Sequence, residues 1–304
     1  MAVTNDFSWS KSRDEIFRDC LRRYFFHYYG AWGGWAPGAP ERTRQLYILK
    51  NLQTRAMWVG DRVHRAIHAT LTSLRGGGET PTADAVAEQL LADMRKDFRD
   101  SLARRYRQSP RKACGLFEHE YELDISDAQW KETADHAVQC LRTFFGSEIF
   151  AELRQLPPTA WLEMEELASF ALDGIKVFVQ LDCAHRTTDG IRIIDWKTGR
   201  AENSSADLQL ACYALYAAEK WQLVPERVQT VEFKLAGGKV LPRVFTAEAL
   251  EETKDFIRDS ADEMSFLLED PARNKPQPEE DFEFAEQQTA CHHCNFLKVC
   301  PRWT

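Results

Sequence analysis

Two short stretches of this chain set acids and a base where they can act together. Val177-Phe-Val-Gln-Leu-Asp182 is an apolar run closed by an acid. Ile193-Ile-Asp195-Trp196-Lys197-Thr-Gly199 is a second run, ending in an acid and a lysine two residues apart. In a β-strand residues i and i+2 share a face, so Asp195 and Lys197 project the same way. The turn Thr188-Asp189-Gly190 between the runs brings Asp182 alongside them. Two carboxylates held close repel each other, and a hard divalent cation is the usual partner that offsets the repulsion. A lysine beside them supplies positive charge near an attacking water or a developing phosphorane, as phosphodiester hydrolysis requires.

A second group lies near the C-terminus, in Cys291-His-His-Cys294-Asn-Phe-Leu-Lys-Val-Cys300-Pro301. Three cysteines this close wrap one metal centre but do not close a tetrahedral or cubane site, so a fourth ligand must come from elsewhere. His292 and His293 keep a zinc site open as one reading.

These residues need elements to hold them. Apolar residues at three- and four-residue intervals (Leu49, Leu52, Ala56, Val59, Val63, Ile67) predict a helix over 43–74, and similar patterns predict helices over 12–29, 82–106 and 127–145. Ser126-Asp127 is the expected cap of the last. Residues 161–171 and 175–184 read as strands joined by Asp173-Gly174, a hairpin signal. A strand over 191–196, a helix over 205–220 and strands over 229–235 and 240–244 follow, the last two joined by Gly237-Gly238. The expected fold class is α/β: a central mixed sheet of about five strands, flanked by helices, in a single domain spanning 1–304. Residues 30–40, 75–81 and 271–281 read as Gly/Pro-bearing breaks, and about 75–150 reads as a helical insertion.

Composition narrows the function classes. The chain has 304 residues, 44% hydrophobic and 28% charged, with nine Trp and 18 Phe, enough for a substantial core and too apolar for disorder. No apolar run approaches the roughly 20 residues of a membrane span. The N-terminus lacks a secretory pattern, so a cytoplasmic location is expected, where eight cysteines are better suited to metal ligation than to disulfides. A net charge of −8 excludes a bulk nucleic-acid coat but leaves room for one basic groove. No Walker loop is present, so a strand-separating motor would have to come from a partner.

The motifs together resemble the PD-(D/E)XK nuclease superfamily, specifically its RecB-like and Cas4-like branch. The resemblance rests on Asp182, on Ile194-Asp195-Trp196-Lys197-Thr198-Gly199, on Gln209-Leu-Ala-Cys-Tyr213, and on Gly60-Asp-Arg-Val-His64. It also rests on Cys20-Leu-Arg22-Arg23-Tyr, which is similar to the start of the iron–sulfur members of the AddB and Cas4 type. It implies a restriction-endonuclease-like core and a metal-dependent nuclease. His64, Asp182, Asp195 and the Trp196 carbonyl would hold Mg²⁺ or Mn²⁺. Lys197 would be the catalytic lysine, and Gln209 and Tyr213 would orient the site. Glu165 is a further acid where many relatives keep one, with Glu163 and Glu166 competing for the place. Cys20, Cys291, Cys294 and Cys300 would hold a [4Fe–4S] cluster, with 1–29 and 286–304 forming its staple and Zn²⁺ the alternative.

The substrate implied is DNA, as single strands or ends, in repair, recombination or defence. A catalytically silent DNA-binding or assembly subunit that keeps the fold is the second reading. Departures from the pattern are Val179 in place of a glycine and Trp196 in place of the commoner tyrosine, whose side chain should point away from the metal. For DNA contact the candidates are Arg22 and Arg23, and Arg104, Arg105, Tyr106 and Arg107 within 99–112, which holds six basic residues against one acid. Cys114, Cys140, Cys183 and Cys212 read as buried apolar residues.

Overall fold

The computed structural model describes residues 4–200 and 206–303. An N-terminal helical region, α1 (Lys11–Asp19), α2 (Leu21–Phe25) and α3 (Glu41–Lys50), leads through β1 (Leu52–Gln53) into the long α4 (Arg55–Arg75). Next come α5 (Ala83–Leu102), β2 (Gly115–Leu116), α6 (Phe117–Glu120), α7 (Asp127–Phe145) and α8 (Glu148–Leu153). The strand-rich part follows: β3 (Trp161–Glu163), β4 (Leu167–Leu172), β5 (Ile175–Gln180), β6 (Cys183–Arg186) and β7 (Ile191–Lys197). Then come α9 (Ala206–Trp221), β8 (Val228–Lys234), β9 (Lys239–Val244) and α10 (Ala247–Ser265).

The fold is mixed α/β, as expected. Its main sheet has five strands in the order β3-β6-β7-β8-β9, with β7 and β8 parallel and the other neighbours antiparallel. Helix α9 is the crossover that parallel pairing of β7 and β8 requires. Period-two alternation along β7 splits its side chains between two cores. Ile191 and Ile193 join Val228, α9 and the β4–β5 hairpin on one face. Ile194 and Trp196 join Val231, Phe233, Val63, Leu90 and Phe144 on the other. The segment expected as an insertion thus covers this second face, through α5 and α7.

Several expected elements form as read. The Asp173-Gly174 turn has φ of 48° and 87°, the left-handed pair that closes a two-residue hairpin and matches strand twist. Helix α7 begins with a full capping box, Ser126 with Gln129. Others are interrupted. The strand expected over 161–171 breaks at Met164–Glu166, and the one over 175–184 breaks at Leu181–Asp182, because the chain passes there from the β4–β5 hairpin into the main sheet. The helix over 12–29 breaks at Cys20, which is extended (φ −168°, ψ 116°), and the one over 43–74 breaks into α3 and α4 around β1. Helix α9 starts at Ala206; Ser205, where its start was expected, lies outside the described residues, as do 1–3 and 304 of the expected staple.

Trp196 is 1% exposed and meets the Phe144 ring edge-on at 5.4 Å. Trp196→Ala should lower unfolding free energy by about 3–5 kcal/mol in chemical denaturation, the usual cost of emptying so large a buried site. A loss within the scatter of surface substitutions would mean that this packing is not structural.

Candidate active site

The two interruptions in the strands are where the site is built. Glu165 and Asp182 sit in the breaks, facing each other across the seam that the Glu165 N–H to Leu181 C=O bond closes at 2.8 Å. Glu165 holds φ +54°, a left-handed conformation that costs a non-glycine residue of order 1 kcal/mol and aims its carboxylate away from the strand direction. Gln180 fixes that carboxylate, its Nε2 donating to Glu165 Oε2 at 2.9 Å.

His64 comes down from α4 between these acids. Its Nδ1 is 3.1 Å from Glu165 Oε1 and 3.2 Å from Asp182 Oδ1. Its Nε2 is 3.0 Å from the Trp196 carbonyl. A carbonyl only accepts, so Nε2 carries the proton, and in the neutral ring the lone pair is left on Nδ1, facing the carboxylates. The second Asp182 oxygen accepts the Trp196 N–H at 2.7 Å, so the backbone of one β7 residue orients both His64 and Asp182.

Asp195 and Lys197 project from β7 toward α9. Lys197 Nζ is 2.8 Å from Asp195 Oδ2 and donates to Gln209 Oε1 at 2.7 Å. Gln209 Nε2 donates to the Tyr213 hydroxyl at 2.6 Å. That hydroxyl has one proton to give, to the Gln180 carbonyl at 2.8 Å or to Asp195 Oδ1 at 3.2 Å. Gln209 and Tyr213, one helical turn apart, therefore tie the lysine to both strands.

His64, Glu165 and Asp182 form a group of three metal-type donors within 4.8 Å of one another, the one such group among the described residues. Of the expected ligands, the Trp196 carbonyl is taken up by His64 and Asp195 lies outside this trio, while Glu165, between competitors Glu163 and Glu166, lies inside it. Glu163 is buried elsewhere, bonded to Tyr216 and paired with Lys220. One imidazole with carboxylate oxygens suits Mg²⁺ or Mn²⁺. Asp195, buried beside the trio, has its Oδ2 against the Lys197 ammonium at 2.8 Å.

The charges follow from this crowding. Burial disfavours a charged His64, but Asp182 and Glu165 outweigh it and hold the imidazole well above its ordinary value. Burial, opposed by His64 and reinforced by Asp195, pushes Asp182 up to about 6. Burial works against the Lys197 charge and Asp195 overcomes it, so the ammonium persists. A cation must displace protons from His64 and Asp182, both of which are more fully protonated as pH falls. Mn²⁺ affinity should therefore drop as pH falls through about 6 and rise above it, with protons released on binding. Titration calorimetry in buffers of differing ionisation heat checks this; affinity flat from about pH 5 to about pH 8 would contradict it.

The cysteines gather at the other end of the N-terminal region. Cys20, Cys291, Cys294 and Cys300 line one cavity with Phe26 and Phe296. Cys20 caps α2, its sulfur accepting from Arg23 N at 3.5 Å, which explains the break in the first helix. The first and last segments are tied there by Arg22, whose backbone N–H donates to Glu283 O at 2.9 Å and whose Nε donates to Phe282 O at 2.8 Å. Cys140, Cys183 and Cys212 are buried, and Cys114 is half-buried.

Of the residues expected at DNA, Arg22 and Tyr106 need correction. Arg22 is buried in that tie and paired with Glu279. Tyr106 is 1% exposed with its hydroxyl on Glu120, so its ring is not open to a base. Arg104, Arg105 and Arg107 pair with Glu122, Asp100 and Glu120, acids that α5 and the 117–122 segment bring to them. Arg23 pairs with Asp19 at 3.3 Å. A cleft runs from Cys20 and His293 past Met57 and His136 to Thr198 and Arg200, just beyond Lys197.

A mixed sheet whose central strand delivers an acid and a lysine two residues apart, beside an acid on the adjoining strand's approach, defines a nuclease-type core. The sequence bears this out: the family model of the PD-(D/E)XK nuclease superfamily matches residues 8–301, and the chain belongs to that superfamily. Among solved structures, "Crystal structure of SSO0001" is 18% identical and overlaps 62% of this chain and 79% of its own, at a TM-score of 0.29. No curated protein matches. Among the described residues no helix is long and apolar enough to cross a membrane.

Proposed function

We propose that the chain is a divalent-metal-dependent deoxyribonuclease acting on single strands or DNA ends, with a [4Fe–4S] cluster on Cys20, Cys291, Cys294 and Cys300. The observation that carries the nuclease reading is the convergence of His64, Glu165 and Asp182 beside the Asp195–Lys197 pair. His64, Asp182 and Glu165 would hold Mg²⁺ or Mn²⁺, with Asp195 at their side. When bound, such a cation supplies Lewis acidity and a water acidic enough to attack near neutral pH. Lys197 holds an ammonium against the negative charge that develops on the phosphoryl oxygens, and Gln209 keeps it aimed. Tyr213 stays protonated, held so by burial and by Asp195, and fixes the Asp195 carboxylate.

The cluster reading is supported by the cavity that Cys20, Cys291, Cys294 and Cys300 share, which joins the first helices to the last segment.

The test is degradation of strands labelled at the 5′ or the 3′ end, with Mn²⁺, Mg²⁺ or chelator. Metal-dependent loss of label from one end supports an exonuclease. DNA binding with no cleavage under any metal supports the silent-subunit reading instead.

A further inference from the structure

The Asp-x-Lys pair on β7 has a copy on the next strand. β7 ends Asp195-Trp196-Lys197 and β8 ends Glu232-Phe233-Lys234, and the two run parallel with Asp195 opposite Glu232 and Lys197 opposite Lys234. Trp196 and Phe233 are both buried in the core on one face of the sheet, so the acids and lysines of both strands project from the other. The row does not end there. Across the antiparallel β8–β9 pair, Lys234 is opposite Lys239. Three lysines thus form one rung, Lys197, Lys234 and Lys239, at the carboxyl edge of the parallel strands, about 5 Å from strand to strand.

Like charges directly opposite one another in a sheet are destabilising. Lys197 is compensated by Asp195 at 2.8 Å, and Lys234 only loosely by Glu232 at 3.9 Å. Lys239 is exposed and has no ion-pair partner among the described residues. Compensation therefore falls along the rung from the catalytic strand outward. A polyanion lying across this edge would supply what the protein does not. Ligands of open α/β sheets gather at this edge of parallel strands.

Resting on the nuclease reading, we propose that Lys234 and Lys239 bind consecutive phosphates of the DNA strand beside the scissile bond, which lies at Lys197. The strand then runs across the ends of β7 and β8 and onto the 235–238 turn. This assigns phosphate contact to a part of the chain separate from the arginine-rich 99–112 segment, where Arg104, Arg105 and Arg107 pair with nearby acids.

The experiment is steady-state cleavage of a labelled single-stranded oligonucleotide in Mn²⁺, with kcat and KM measured over a series of KCl concentrations. Each single-strand phosphate contact contributes about 0.7 to the slope of log affinity against log salt. Lys239→Gln should lower the slope of log(kcat/KM) by about 0.7, and Lys234→Gln with Lys239→Gln by about 1.4. KM should rise, kcat at saturating DNA should stay near wild type, and the arginine variants should restore the slope. An unchanged slope in the double variant, with wild-type enzyme cutting normally, overturns the proposal. So does a Lys239→Gln protein that self-associates in sedimentation while keeping its slope, since edge-strand lysines also block sheet-to-sheet pairing. If wild-type protein neither cuts nor binds the oligonucleotide, the nuclease reading itself falls, a result distinct because it needs no variant.

Discussion

Lys197→Ala should lower kcat for DNA cleavage by about 10²–10³-fold, the usual loss when one preorganised donor to a developing oxyanion is removed. The ammonium sits between Asp195 and Gln209 and has no part in the apolar cores, so the fold should survive its loss. Mn²⁺ affinity should change little, because His64, Glu165 and Asp182 keep their mutual contacts. Asp195→Ala should be at least as damaging, since it removes the lysine's counter-charge and the acid next to the trio. The measurement is single-turnover cleavage with calorimetric metal titration on the same preparations. Cleavage that survives both substitutions would remove the site from the mechanism.

Cys20→Ser should strip iron and acid-labile sulfide from the anaerobically purified protein and lower its stability sharply. Cys20 and the C-terminal cysteines are separated by nearly the whole chain, and a cross-link closing so long a loop is worth on the order of 5 kcal/mol. Ligation would also require thiols that burial now holds protonated, with Cys294 pushed up to about 11, so metal binding and folding are coupled. Cys212→Ser is the control, since its sulfur lies in the sheet core away from that cavity. Bound zinc without iron in the wild-type protein would replace the cluster with the alternative ion. Equal iron in wild type and Cys20→Ser would remove Cys20 from the ligand set.

What the sequence made legible was local or periodic. The Asp173-Gly174 hairpin, the Ser126 cap and the acid–lysine ending of β7 depend on spacing within a few residues, and each formed as read. The breaks at Glu165 and Asp182 were hidden, because neither run carries a Gly or Pro to mark them and the interruption comes from a change of sheet. That is also why Glu163, Glu165 and Glu166 could not be separated: all three lie within one strand-like run, and a left-handed φ at Glu165 leaves no mark in composition. Tyr106 failed as a stacking residue for a related reason. A basic run suggests solvent, but Glu120, a dozen residues on, folds back to claim both the tyrosine and Arg107. The lysine rung could be found only once β7, β8 and β9 were known to be neighbours in register.

Trp196 has a consequence that reaches beyond any one ligand. Its N–H steadies Asp182, its carbonyl steadies His64, and its indole is clamped against Phe144 on the far side of the sheet. On the metal-dependent reading proposed above, trimming Phe144 would shift two donors together while leaving every ligand in the sequence untouched. An oily layer remote from the chemistry would then set how closely those donors approach a bound ion.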